Sequence, residues 1–263
     1  MNHILNISSY KFVPIHDLPN LRERLLGQTR CLGLKGTILI AEEGINLFLA
    51  GTAEQIHSFV DWLKQDSRFA DLAPKESWSD TQPFRKMLVK IKKEIIRMNH
   101  PTIRPSAGRA PAVTAVTLNR WLDQGHDDEG RPVITLDTRN AFEVDFGTFK
   151  NTIDYRISKF TEFPQAITAH KDELKDKTIV SFCTGGIRCE KAAIYMREIG
   201  LEHTYQLEGG ILKYFEVTDA HHYEGSCFVF DERLALDPSL LPEKTTATTK
   251  VVNQDKTPLP SVS

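Results

Sequence analysis

One segment, residues 178–191, constrains the fold of this chain more than any other stretch, because it combines a strand, a tight loop and a helix start. Residues 178–182 form a short apolar and β-branched run of the kind that makes a buried strand. A helical pattern opens at Cys189 and closes at Gly200. Cys183 therefore ends the predicted strand, and it is followed by five loop residues, Thr184, Gly185, Gly186, Ile187 and Arg188.

This loop is predicted to hold an anion. Two consecutive glycines let several backbone N–H groups converge, and the helix start adds its partial positive charge. The anion would be the thiolate of Cys183 or a group bound covalently to its sulfur. Such surroundings would lower the pKa of a cysteine from about 8.5 to roughly 6.5. We therefore predict that Cys183 is a nucleophile at neutral pH, against the simpler interpretation of a small apolar residue at a strand end.

Three stretches in a fixed order resemble a rhodanese domain. They are residues 133–139 (VITLDTR), the Cys183 loop, and residues 207–211 (LEGGI). The spacing from Cys183 to Arg188 is Cys-x4-Arg, which resembles rhodanese loops, whereas the loops of related phosphatases resemble Cys-x5-Arg. The shorter loop favours a persulfide or another small adduct over a phosphoryl group. In such domains the residues matching Asp137 and Arg139 form a structural ion pair.

Two residues at the end of the loop each admit two interpretations. Arg188 either holds an anionic substrate or caps the loop by bonding to carbonyl groups. Cys189, in the first helical turn, either resolves a persulfide or sulfenic acid on Cys183 or is a packed helix residue. We therefore place Cys183 and Arg188 in the catalytic set and keep Cys189 as a candidate resolving thiol.

The chain is predicted to contain two domains and an extension. Residues 1–97 alternate as an α+β ferredoxin-like (acylphosphatase-like) domain, whose last strand is predicted at 85–96. Residues 98–112, with three prolines, are a linker, and residues 113–217 alternate as an α/β parallel-sheet domain. Residues 218–263 form a C-terminal extension that we expect to be disordered from about residue 237.

Composition excludes several classes of protein. A chain of 263 residues with 40% hydrophobic and 26% charged residues is ordinary for a globular protein, and it contains no apolar run long enough to cross a bilayer. The four cysteines are spaced as free thiols rather than as a disulfide framework. We expect a cytoplasmic protein that does not contact the membrane.

Positive charge is concentrated near the end of the first domain. Between residues 85 and 109 there are eight basic residues and one acidic residue, although the whole chain has a net charge of −2. An excess of this size suggests a polyanionic partner, and alternation would place the lysines on the face opposite the core. The alternative is that they only keep an edge strand soluble. The predicted RNA-binding residues are Lys86, Lys90, Lys92 and Lys93.

Longer blocks resemble the oxygen-dependent tRNA uridine hydroxylase family. They are residues 36–46, 82–85, 89–95, 182–191 and 227–233, and the similarity covers roughly residues 1–236. The resemblance implies formation of 5-hydroxyuridine at the wobble position of tRNA, with Cys183 essential, molecular oxygen as co-substrate and an electron donor that the sequence does not identify. Many relatives continue into a cysteine-rich segment, which the tail of this chain lacks.

The residues themselves leave the oxygen chemistry open. The sequence contains no recognisable facial-triad, haem or dinucleotide-binding motif, so no bound cofactor is identified. His221, His222 and Cys227 lack a fourth ligand, and no metal site is predicted. Our hypothesis is that Cys183 adds to C6 of uridine. The alternatives are a sulfurtransferase that carries a Cys183 persulfide and a non-catalytic RNA-binding module.

Overall fold

Two β-sheets organise residues 3–243, the part of the chain that the computed structural model describes. The first sheet has the strand order β4-β1-β3-β2-β5, and two helices cover one of its faces with a shared apolar core. Its elements in chain order are β1 (Ile4–Phe12), α1 (Leu18–Cys31), β2 (Lys35–Ala41), β3 (Gly44–Gly51), α2 (Ala53–Lys64), β4 (Lys75–Ser79) and β5 (Met87–Ile91).

The other face of this sheet is polar and bears on the candidate site. In β1, Leu5 and Ile7 point into the helix-covered core, so the alternate residues Asn6, Ser8 and Tyr10 point away from it. Residues directly opposite one another in an antiparallel pair share a face. The same face therefore carries the partners of these three residues, Asn46 and Phe48 in β3 and Lys75 and Ser77 in β4.

The strand predicted to close this domain is present as β5, within the predicted residues 85–96, but it is not the fourth strand of the ferredoxin-like motif. The fourth strand of the ferredoxin-like motif is β4, which pairs with β1, whereas β5 runs parallel to β2 at the opposite edge. The sequence of β4, KESWS, has a single large apolar residue and shows no buried-strand pattern. Strand β5 also ends at Ile91, because Ile95 and Ile96 pack against the second domain instead.

The second sheet is entirely parallel, with the strand order β6-β10-β9-β7, as the alternating pattern predicts. Strand β9 and strand β10 match their predicted bounds, while α6 begins two residues earlier than the predicted Cys189. The elements are β6 (Ala112–Val113), α3 (Ala115–Gln124), β7 (Val133–Asp137), α4 (Ala141–Val144), β8 (Gly147–Phe149), α5 (Phe163–Ala169), β9 (Thr178–Phe182), α6 (Ile187–Glu198), β10 (Thr204–Leu207) and α7 (Gly210–Val217).

The two sheets are joined by a common apolar cluster. Residues from the predicted linker, including Met98 and Ile103, pack there together with Ile95 of the first domain and Leu136 and Ile179 of the second. Residues 98–112 therefore run along the packed interface between the two domains. A site can form where the two sheets face each other.

The C-terminal extension returns to this interface. Strand β11 (Tyr223–Gly225) pairs with β8, and β12 (Cys227–Phe228) pairs with β13 (Ala235–Leu236). Beyond β13, the Asp237 N–H donates to the Leu241 carbonyl and the Glu243 N–H donates to the Ala235 carbonyl. The backbone is thus hydrogen-bonded up to residue 243, and the rest of the predicted disordered tail, 244–263, lies outside the described residues.

None of the helices within residues 3–243 combines the length and the apolar character needed to span a lipid bilayer.

Candidate active site

Cys183 lies at the carboxyl end of β9, as predicted, and its side chain is buried. The loop after it turns back at once, because Gly186 has a φ of 98°, a left-handed conformation that favours glycine. In this conformation the Gly186 N–H donates to the Cys183 Sγ at 3.1 Å. The predicted N–H environment of the sulfur is therefore present.

A second glycine pair closes the loop from the other side. The N–H groups of Ile211 and Leu212, at the start of α7, donate to the carbonyl oxygens of Cys183 and Thr184 at 3.0 and 3.1 Å. A Cβ on Gly210 would lie 2.4 Å from the Cys183 oxygen. The motif at residues 207–211 thus supports the Cys183 loop, and only glycine allows this approach.

The surroundings favour the thiolate of Cys183. Burial opposes the charge, but hydrogen bonding from the Cys189 thiol, the positive charge of Arg188 and the N–H groups of Arg188 and Gly186 together lower the pKa of Cys183 to about 6. Cys183 is therefore mainly ionised at neutral pH, which is the form required of a nucleophile.

The Arg188 side chain is paired within the protein and does not cap the loop through its carbonyl groups. Its guanidinium makes a two-pronged ion pair with Glu143, with N–O distances of 2.8 and 2.7 Å, and both side chains are buried. The Glu143 carboxylate occupies the fork of its guanidinium. A role of Arg188 in holding an anionic substrate stays a prediction. Arg188 acts on Cys183 through its charge and through its backbone N–H.

Cys189 is buried beside Cys183 but in different surroundings. Burial and the neighbouring Cys183 raise its pKa well above the ordinary value. Its sulfur lies 3.8 Å from the Thr138 hydroxyl. In the described structure Cys189 is a packed thiol, while its role as a resolving thiol stays a prediction.

A cavity of about 250 Å³ opens beside Cys183. Its walls come from three parts of the chain: the polar face of the first sheet, the Cys183 loop, and the C-terminal extension. Aromatic rings from the second domain and the extension, Phe142 and Phe230, also line it. The candidate site is therefore an interdomain cavity, the commonest place for a small-molecule site.

Sequence reasoning did not identify the wall that the first domain supplies. Asn6, Ser8, Tyr10 and Lys75 line the cavity, and the Lys75 ammonium lies 5.6 Å from the centre of the Tyr10 ring. The polar alternation in β1 indicates an unusual second face, but a single sequence does not show which surface covers it. Arg233, also lining the cavity, pairs with Asp231 and donates to the Ser77 hydroxyl at 2.7 Å.

Helix α6 is fixed to the first domain by two buried charged residues. Lys191 pairs with Glu43 at 2.8 Å and with Glu94 at 2.7 Å. Glu190 accepts from the Tyr10 hydroxyl at 3.1 Å and pairs with Arg109 at 3.0 Å. Because the Cys183 loop leads directly into α6, these contacts fix the loop relative to the polar face.

The four predicted RNA-binding lysines do not line the cavity. Lys86 and Lys93 are exposed, and Lys90 and Lys92 are partly exposed. They lie in or beside β5, at the edge of the sheet farthest from β4. Strand β2 lies between this basic edge and β3, the nearest strand whose residues line the Cys183 cavity.

The residues considered for a metal do not come together as a set. Cys227 is buried in β12, whereas His221 and His222 converge on Asp123, with N–O distances of 2.9 and 2.8 Å. The ligand atoms of Asp123, His221 and His222 lie within 4.8 Å of one another. His221 also bonds to Asp219 at 2.6 Å, so the cluster is hydrogen-bonded as it stands.

Comparison with known proteins agrees with this two-domain arrangement. Residues 4–95 match the model of a UPF0176 acylphosphatase like domain, and residues 117–216 match that of a rhodanese-like domain. The chain is 71% identical over 240 residues to the tRNA uridine(34) hydroxylase of Delftia acidovorans, a match that covers 91% of each chain. It is 62% identical to the protein of that name from Bordetella petrii, over 92% of this chain and 96% of the relative.

A third relative, from Ralstonia nicotianae, carries the same name and is 64% identical over 91% of this chain and 85% of its own. At these identities and coverages the similarity includes both domains, the interface between them and the Cys183 loop. The chain belongs to the tRNA uridine(34) hydroxylase family.

Proposed function

We propose that this protein is an oxidoreductase that hydroxylates uridine 34 of tRNA, forming 5-hydroxyuridine in the cytoplasm with molecular oxygen as co-substrate. The names of its relatives support the substrate and the reaction. The observation that supports the chemistry is Cys183, a residue with a pKa lowered to about 6 that lines an interdomain cavity. A thiolate in such a place is suited to add to an electron-poor ring.

The proposed reaction begins with the addition of the Cys183 thiolate to C6 of uracil. The electron pair of the C5–C6 double bond then forms an enolate over C5 and O4. C5 bonds to one atom of oxygen, and a separate two-electron donor with two protons, in net terms, cleaves the O–O bond to leave C5–OH and water. Loss of the C5 proton and departure of the thiolate restore the double bond.

The size of the cavity supports a single base as its occupant. Its volume of about 250 Å³ is below the roughly 300–1,000 Å³ of pockets that hold drug-sized ligands. A base that leaves the anticodon stack would place its face against aromatic side chains, and Phe142 and Phe230 line the cavity.

The basic edge is the proposed contact for the RNA backbone. Its lysines are the predicted set Lys86, Lys90, Lys92 and Lys93. Replacing Lys86 and Lys93 by glutamate should weaken tRNA binding and reduce the dependence of affinity on salt. The same affinities would be measured for a control in which exposed Lys175 is replaced by glutamate, and equal losses in both proteins would contradict the assignment.

The function is tested by nucleoside mass spectrometry of tRNA from cells that lack this protein. Cells complemented with the wild type or with the control Cys31→Ala, which changes an exposed cysteine, should regain 5-hydroxyuridine and its derivatives. Cells with Cys183→Ala should not. Growth under ¹⁸O₂ should place the heavy isotope in the new hydroxyl group.

Two results would contradict the proposal. Recovery of 5-hydroxyuridine with Cys183→Ala would remove the thiolate from the mechanism. If cells that lack the protein keep their 5-hydroxyuridine but lose a thiolated nucleoside, the protein would instead be a sulfurtransferase that carries a Cys183 persulfide.

A further inference from the structure

Five cationic side chains line the cavity beside Cys183, and four of them already have polar partners. Arg188 pairs with Glu143, Arg233 with Asp231, and Lys159 with Glu162, while Arg97 donates to Asn99. The fifth is Lys75. Within residues 3–243, the Lys75 ammonium has no carboxylate oxygen closer than 4.0 Å, the distance limit for an ion pair.

The position of Lys75 in the first sheet directs it toward the Cys183 loop. Lys75 lies directly opposite Ser8 in the β1–β4 pair, and the Ser8 hydroxyl is 3.6 Å from where a Cβ of Gly185 would be. The Lys75 Cε lies 3.4 Å from where a Cβ of Gly209 would be. The side chain thus lies between the polar face of the sheet, the Cys183 loop and the loop that supports it.

The electrostatic surroundings agree with this position. Burial lowers the pKa of Lys75, and the charge of Cys183 is the main effect that opposes the shift. The other charged groups that act on it are Lys213, Glu216 and Glu190. Lys75 therefore carries a partly desolvated positive charge that interacts with Cys183.

We propose that Lys75 is a catalytic residue whose ammonium donates a hydrogen bond to O4 of the uridine and stabilises the enolate that forms when Cys183 adds to C6. This role rests on the proposed hydroxylation. It requires no proton transfer, because the electron pair of the broken double bond stays on C5 and O4. Arg188 is unsuited to the task because its fork is occupied by Glu143.

The expected contribution is large because the charge develops only in the reaction. A donor already positioned where negative charge appears is worth more in a closed cavity than in water, and loss of one such donor typically slows a reaction by about 10²-fold to 10³-fold. Binding of the tRNA, which depends on many phosphate contacts, should change little.

The test follows the addition step alone, so it needs neither oxygen nor the electron donor. An anticodon stem-loop with 5-fluorouridine at position 34 should accumulate the Cys183 adduct, because the electron-withdrawing fluorine makes C6 more electrophilic, and protonation of C5 by solvent completes the adduct. The rate of formation of the denaturation-stable complex and the dissociation constant of the initial complex are measured for the wild type, Lys75→Met, Lys75→Arg and the control Lys175→Met. Lys175 is exposed and pairs with Asp172 outside this cavity.

We expect Lys75→Met to slow adduct formation by about 10²-fold with a dissociation constant within about threefold of wild type, and Lys75→Arg to recover much of the rate. Lys175→Met should match the wild type. An unchanged rate in Lys75→Met, or a loss seen only in the dissociation constant, would overturn the role of Lys75. Absence of an adduct even in the wild type would instead refute the addition step of the proposed function.

The pH dependence offers a second readout that a structural role would not affect. With wild type, the adduct rate should fall at alkaline pH as the Lys75 ammonium loses its proton. In Lys75→Arg this fall should move to higher pH, because a guanidinium stays charged. If the adduct rate falls at the same alkaline pH in the two proteins, this result would contradict the proposed role of Lys75.

Discussion

Cys183 and Cys189 are six residues apart, and both are buried, yet the pKa values of their thiols are shifted in opposite directions. The pKa of Cys183 is lowered to about 6, whereas that of Cys189 is raised well above its ordinary value. Cys183 lies before the glycine turn, where the N–H of Gly186 points at its sulfur, while Cys189 lies inside the first turn of α6. Burial alone therefore does not set reactivity, because the hydrogen bonds and charges around each sulfur decide which thiol ionises.

Among substitutions near these two cysteines, Glu143→Gln should have the largest effect. The change leaves Arg188 charged and buried without its counter-ion, which typically costs about 3–5 kcal/mol of folding stability. Urea denaturation would measure the loss, with exposed Glu173→Gln as the control. In the folded protein the pKa of Cys183 should fall further while Cys189 stays protonated. A loss of under about 1 kcal/mol would show that the ion pair is dispensable.

Alkylation of the wild type should separate the two cysteines by more than about 100-fold at neutral pH, because only the thiolate reacts and only Cys183 is mainly ionised there. Iodoacetamide labelling followed by peptide mass spectrometry gives both rates in one sample. The Cys183 rate should rise with pH through about 6 and then level off. Comparable labelling of both residues would contradict the assignment of their pKa values.

A smaller effect is expected from Gly186→Ala, which removes the freedom that the loop needs. Alanine at a φ of 98° is strained by about 1–2 kcal/mol, and its Cβ would lie 3.1 Å from the Tyr10 hydroxyl. Relief of the strain would turn the N–H away from Cys183 and raise the pKa of that thiol, while Arg188 and Cys189 would still favour the thiolate. The pH dependence of alkylation measures this change, and Gly125→Ala, in a left-handed position at the end of α3, is the matched strain control. An unchanged profile would show that the N–H contributes little.

A last substitution is Cys189→Ala, which removes the thiol beside Cys183. The pKa of Cys183 should rise, because the hydrogen bond from Cys189 is the first of the effects that offset its burial, although the charge of Arg188 and the N–H groups remain. Cys189→Ser, which keeps a hydroxyl donor, should stay closer to wild type. Loss of 5-hydroxyuridine in the Cys189→Ala strain, with the Cys183 pKa near its wild-type value, would instead give Cys189 a chemical role as a resolving thiol.

Local patterns predicted the Cys183 loop well because its physics is local. A β-branched run, two glycines and an arginine within 11 residues define the strand end and the turn, and β9 and β10 have their predicted bounds. The same reasoning missed β4, whose polar sequence forms a strand only because β1 offers it an open edge. It also extended the following strand to residue 96, where two isoleucines satisfy the interdomain core and not the sheet.

Sequence alone was sufficient for the two-domain order, the place of Cys183 at a strand end and the family resemblance, because each depends on residues close together in the chain or on long collinear blocks. Tertiary structure decided which surface covers Cys183 and which charges remain available beside it. The pairing of Arg188 with Glu143 spans 45 positions, and that of Lys191 with Glu43 spans 148. Contacts so distant in sequence depend on how the two sheets pack, since an ion pair between distant residues forms only where folding has brought both charges together and excluded water.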